Sequence, residues 1–246
     1  MGNLYMAGTV AMLLAVAVTA LLWPAGRFGT IWSGLLATPS ALWALVMVPA
    51  YWKPSTVIRL PVSIEDVLWT FSAGALAWAA ATLGTREDLR PRRELSHALI
   101  RWALLWGTAG IVAVVLWRVG VPVMTSTLAA AAAVTLLVAP QRRDLWPIAL
   151  RGAIFFPILY GMGACAFVQL APAFRLYWNH EALSGVALFG LPAEEIAWAV
   201  VWGATCPFLV AFASTLPWPE REAHTHGFRE SSLLDSPGSA TEPTRV

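Results

Sequence analysis

Two pairs of neighbouring acids have the clearest chemical use in this sequence. Glu65-Asp66 sits in Ile64-Glu65-Asp66-Val67-Leu68-Trp69, and Glu194-Glu195 in Ala193-Glu194-Glu195-Ile196-Ala197-Trp198. Each pair opens an apolar stretch, and a Trp follows four residues after its first acid. Each is also preceded by Tyr-Trp: Tyr51-Trp52-Lys53-Pro54 before the first, Tyr177-Trp178-Asn179-His180 before the second. Residues i and i+4 share a helix face. The spacing therefore predicts Glu65 beside Trp69 and Glu194 beside Trp198, with Trp202 one turn deeper. A carboxyl against indole rings in an apolar site has its charged form disfavoured, and a second acid next to it adds to that effect. The expected result is a carboxylic acid that keeps its proton near neutral pH and can donate it, with an ionised neighbour that can accept one. Aromatic faces stabilise a transient cation. These parts suit protonation of an alkene and guidance of the carbocation. The candidate catalytic residues are Glu65, Asp66, Glu194 and Glu195. The candidate substrate-binding residues are Trp52, Trp69, Trp178, Trp198 and Trp202.

A single doublet has a plainer reading. Acids in the first turn of a helix favour its positive end, and Glu194-Glu195 follow Pro192. Two doublets in matching context favour the chemical reading.

The elements that position these acids follow from composition. Of 246 residues, 58% are apolar and 12% charged, against about 25% charged in an ordinary soluble domain. A chain this apolar cannot hide its surface in water, which excludes a soluble enzyme, a disulfide scaffold and a disordered protein. The net charge of +2 points to no nucleic-acid partner. Cys165 and Cys206 lie in apolar runs with no metal spacing, so no metal is expected.

A membrane-crossing helix needs about 20 apolar residues. Seven stretches qualify: 4–23, 29–50, 62–83, 98–119, 121–139, 152–171 and 191–216. Only Gly120 and Pro122 separate the fourth from the fifth. Cytoplasmic loops are enriched in Lys and Arg. With the N-terminus outside, seven spans put twelve basic residues inside: Arg27, Arg86, Arg90, Arg92, Arg93, Arg101, Arg142, Arg143, Arg151, Arg221, Arg229 and Arg245. Four fall outside: Lys53, Arg59, Arg118 and Arg175. Six spans would split the basic clusters across the membrane. The expected fold is all-α and integral to the membrane. Seven transmembrane helices form two parallel three-helix repeats, about 4–83 and 121–216, joined by a linking helix. Residues 1–218 make the membrane domain, and the polar stretch 219–246 reads as a disordered cytoplasmic tail.

At the doublets the sequence resembles a known family. Leu191-Pro192-Ala193-Glu194-Glu195, preceded by Tyr177-Trp178-Asn179, resembles the membrane-type lycopene cyclase domain of bacteria, archaea and fungi. The mark of that family is Pro-x-Glu-Glu/Asp opening a span in each half, and its fused form joins two three-span halves through an extra span. The first copy departs from it: Ser63 stands where Pro is expected, with Pro61 two positions earlier. Ala197 and Ala199 also replace bulkier residues, which would suit a longer carotenoid or a ring type other than β.

The resemblance implies a redox-neutral carotenoid cyclase without a cofactor. Its partner would be a lipophilic carotenoid in a bacterial cell membrane, with association with other enzymes of that pathway. Protonation at C2 of an acyclic ψ-end leaves a tertiary cation at C1. The C5=C6 double bond attacks it and closes the ring, and loss of a proton then gives a β, ε or γ ring. Glu194 or Glu65 would be the proton donor, and Glu195 or Asp66 would tune it or take the final proton. On this reading Glu194→Gln abolishes cyclised product.

Three other classes compete. A retinal protein needs a lysine within a span, and the only lysine, Lys53, is in a loop. A proton-coupled transporter would use the acids as relays, but usually has broken helices near the midplane. A non-catalytic carotenoid-binding protein would keep the cavity and lack product.

Overall fold

The structure is a computed structural model that describes residues 3–84 and 95–214. Eight α-helices occur among the described residues: α1 (Leu4–Leu22), α2 (Arg27–Ala37), α3 (Ala44–Met47), α4 (Ile64–Thr82), α5 (Leu95–Arg118), α6 (Val123–Val138), α7 (Trp146–Leu170) and α8 (Ala193–Ser214). Their ends follow from local sequence. Asn3 caps α1 by accepting the Met6 amide. Pro39 interrupts the second span, which runs on as a 3-10 turn over Thr38–Trp43 and then α3. Gly120, with φ of +96°, turns the chain between α5 and α6. The boundary marked by Gly120 and Pro122 in the sequence is thus a true helix break.

Six helical segments are long and apolar enough to cross a membrane: Leu4–Leu22, Pro24–Met47, Ser96–Arg118, Val123–Gln141, Arg143–Leu170 and Ala193–Ser214. The protein is an all-α integral membrane protein. The spans expected at 29–50 and 152–171 begin earlier, at Pro24 and Arg143. Helix α4 matches α1 in length, at 19 residues. Two acids in its first turn lower its hydropathy, so it is not among the six. The basic residues Arg86, Arg90, Arg92 and Arg93, and the expected tail at 219–246, lie outside the described residues.

Helix α4 packs against α1 and α2, and α8 packs against α6 and α7. Helix α4 also touches α8 and α7, and α5 lies on α6 and α8. Central burial explains the small residues of α4: every residue from Ser72 to Ala79 is buried. At the α7–α8 crossing Gly152 and Gly203 bring the two backbones together, and a Cβ on either would meet the other's carbonyl. Gly74 fills the same role where α4 crosses α2, against Ala37 and the Ser33 carbonyl.

The loops before α4 and α8 are joined. Trp52 and Trp178 form an antiparallel bridge. The Lys53 amide donates to the Tyr177 carbonyl at 2.6 Å, and the Asn179 amide to the Tyr51 carbonyl at 2.9 Å. Two Tyr-Trp dipeptides that are 126 residues apart (177 less 51) therefore lie side by side. A short hairpin, Ala187–Leu188 with Leu191–Pro192, leads into α8.

Candidate functional site

The start of α4 sets the first doublet. Ser63 caps the helix: its Oγ accepts the Asp66 amide, and Asp66 Oδ2 accepts both the Ser63 amide and the Ser63 hydroxyl at 2.8 Å. This is a capping box with Asp at its third position. Ser63, where the family pattern has Pro, thus supplies the cap itself. Asp66 Oδ1 accepts the Tyr5 hydroxyl from α1 at 2.7 Å. Capping and cavity-facing roles coincide in this one side chain.

Glu65, fully buried, turns the other way. Its Oε1 accepts the Val57 amide at 2.7 Å and the Asn3 side-chain amide at 3.1 Å. It ties the beginning of α1 and the preceding loop to α4.

The second doublet divides in the same way. Glu195 Oε1 accepts the Tyr51 hydroxyl at 2.8 Å and the Trp178 indole N–H at 3.0 Å. Its Oε2 accepts the Tyr160 hydroxyl from α7 at 2.6 Å. Glu194 instead accepts the Ser184 amide in the loop before the hairpin.

Asp66 and Glu195 line one cavity of about 170 Å³. The five expected tryptophans, Trp52, Trp69, Trp178, Trp198 and Trp202, line it too. Glu65 and Glu194 do not. The cavity face therefore runs from the second acid of each doublet to the Trp three residues on, where the sequence spacing had pointed to the first acid and i+4. Both spacings are compatible with one helix face. The rotation of α4 and α8 about their own axes decides between them.

Aromatic contacts connect the two acids. Tyr5 lies 6.0 Å from Trp69, Trp69 6.1 Å from Tyr160, and Tyr160 5.1 Å from Trp198, ring centre to ring centre. Trp198 stacks on Trp202 at 5.6 Å. The cavity thus has both π faces and two carboxyls in its lining, fit to give or take a proton and to stabilise positive charge.

Sequence reasoning missed Tyr5 and Tyr160 as site residues and had Tyr51 only as part of a repeat. Of the four tyrosines in the chain, three donate to Asp66 or Glu195. Rarity was the available signal, and it carries no position. Tyr51 lies in the loop between the second span and α4. Burial, and then the Glu195 carboxylate beside it, push its phenol well above the usual tyrosine range. A value raised in the folded state adds stability that is present below the unfolded value of about 10 and declines as pH rises above it. The absorbance change of phenolate formation between pH 10 and 11 is accordingly expected to be the same in the wild type and in Tyr51→Phe. An ionisation step that disappears in the variant would show that Tyr51 titrates like a free tyrosine.

Fold and cavity define an integral membrane protein with a carboxyl pair in an indole-lined chamber. Residues 121–213 match the family model described as Lycopene cyclase, so the chain carries a lycopene cyclase family domain there. The matched segment holds α6, α7 and most of α8, with Trp178, Glu194, Glu195, Trp198 and Trp202. Glu65 and Asp66 lie before it. No curated protein and no solved structure matched the chain. A match to this family supports a role in carotenoid biosynthesis.

Proposed function

We propose that this protein cyclises the ψ-end of a lycopene-type carotenoid, with Asp66 and Glu195 as the proton-exchanging pair. The observation that carries this reading is the meeting of those two carboxyls, one from each doublet, in a single tryptophan-lined cavity. One carboxyl delivers a proton to C2. The C1 cation is closed by the C5=C6 bond, and the other carboxyl takes the proton that leaves to form a β, ε or γ ring. One proton enters and one leaves, so the step is an isomerisation and uses no redox cofactor. The faces of Trp69, Trp198 and Tyr160 lie where the cation travels. Glu65 and Glu194 hold the two helix starts in place through their loop contacts.

The same reading takes α4 as the seventh span and the chain as a fused pair of parallel halves, 4–83 and 121–216, linked by α5. The equivalent packing of α4 on α1 and α2 and of α8 on α6 and α7 supports this, as does the bridge between Trp52 and Trp178. The bias of basic residues toward one side supports an N-terminus outside and a C-terminus in the cytoplasm.

Pigment chromatography of cells that make lycopene and express this chain tests the activity. Monocyclic or bicyclic carotenoid is expected. Lycopene left unchanged beside correctly inserted protein overturns the proposal in favour of a binding protein without catalysis, and proton flux in vesicles would point to a transporter. Trp198→Leu is expected to cut product about tenfold by removing a ring beside the cation path. Unchanged product would remove Trp198 from that path.

A further inference from the structure

We infer that the tip of the hairpin before α8 is a lipid anchor: Phe189 and Leu188 insert into the headgroup–acyl boundary of the bilayer, at the end of the bundle where α7 stops. Leu188 pairs with Leu191, so Phe189 and Gly190 are the two turn residues between the strands. Both have positive φ, +52° and +87°. A two-residue hairpin turn of this kind favours Asn-Gly or Asp-Gly, whose residues tolerate that conformation. Gly190 has a further reason to be glycine, since a Cβ there would meet the Arg175 guanidinium. A bulky apolar residue at φ of +52° is an outlier. Such outliers persist where a function outside the turn uses them. Phe189 is also 83% exposed, so packing within the chain does not account for it.

The place of the tip says what covers it. The Gln169 side-chain amide donates to the Phe189 carbonyl at 3.4 Å. Gln169 is the last residue but one of α7, whose apolar span ends at Leu170. Leu191 of the second strand is fully buried, in one cluster with Val168 of the same helix end. The hairpin is thus fastened from within, with its tip beside the last turn of a membrane span. Leu170 is 86% exposed there, and such surface on a membrane-crossing helix faces lipid. Phe189, and Leu188 at 49% exposed, continue that apolar surface past the helix end. Residues 182–192 include no charged side chain, so no ion has to leave water when the tip inserts. Aromatic and aliphatic side chains are well suited to this boundary. Because α8 begins at Ala193, directly after the second strand, an anchored tip also fixes the depth of the helix start that carries Glu195. The inference needs only the membrane character of the bundle and stands apart from the cyclase reading.

The full chain in phosphatidylcholine vesicles tests this with a nitroxide label on Phe189→Cys. Cys165→Ala removes the half-buried native cysteine, and Cys206 is buried. Leu188→Cys is the second site and serves if position 189 does not accept the change. Glu181→Cys, exposed in the loop before the hairpin, is the control in water. Molecular oxygen, which concentrates in lipid, is expected to relax the labels at 189 and 188 more strongly than a water-soluble nickel chelate does, with the order reversed at 181. Chelate access at 189 and 188 equal to that at 181 would put the tip in water and overturn the inference. Labels shielded from both reagents, with spectra broadened until unlabelled chain is added, would overturn it too, because a second copy of the chain would then cover the tip.

Discussion

Glu195→Gln is expected to lower cyclised product by about 10²-fold or more, the usual worth of a positioned acid or base, while the protein still inserts. The fold can accept the change. The amide oxygen can take the place of Oε1, which receives the Tyr51 hydroxyl and the Trp178 indole N–H. The new NH₂ then faces Tyr160, whose hydroxyl can rotate to accept. What is lost is the ability to carry and release a proton. Asp66→Asn follows the same logic: its amide oxygen can still receive the Ser63 amide, and the Tyr5 hydroxyl can turn. Chromatography of pigments from cells expressing each variant, with the protein counted in the membrane fraction, makes the check. Wild-type product from either variant would remove that carboxyl from the reaction. By contrast, Glu65→Gln and Glu194→Gln are expected to keep product within about tenfold of wild type, below the loss from a reacting acid or base. A loss at Glu194 as deep as at Glu195 would return Glu194 to the chemistry, as the spacing alone suggested.

The second large effect concerns the scaffold. Gly203→Ala should destabilise the bundle by about 3 kcal/mol, because the added methyl meets the Gly152 carbonyl and the Phe156 side chain. The α7–α8 crossing would have to open, and Glu195, on the same helix, would move relative to Tyr160. Gly163→Ala is the control, since nothing lies within 4 Å of its added Cβ. It should be neutral or gain up to about 1 kcal/mol of helix propensity. Thermal unfolding of the two variants in detergent, followed by size-exclusion chromatography, separates them. Equal melting would mean that the α7–α8 approach is not tight.

Much of this molecule is set by residues close together in the chain. The apolar runs require membrane helices, because such surface has no favourable place in water. Ser63 and Asp66 cap α4 through atoms three residues apart. Gly120 turns the chain in a backbone conformation that other residues rarely adopt. The doublets, with tryptophans a turn beyond, mark both helix starts and the chemistry expected there.

Tertiary packing decided which acid of each doublet enters the cavity and what surrounds it. Sequence spacing fixes where side chains stand relative to one another on a helix; it leaves open how that helix is rotated against its neighbours. The partners also come from far along the chain. Tyr5 meets Asp66 across 61 positions and Tyr51 meets Glu195 across 144. Each such contact exists only because whole helices, held close by glycine at their crossings, bring distant backbones into register.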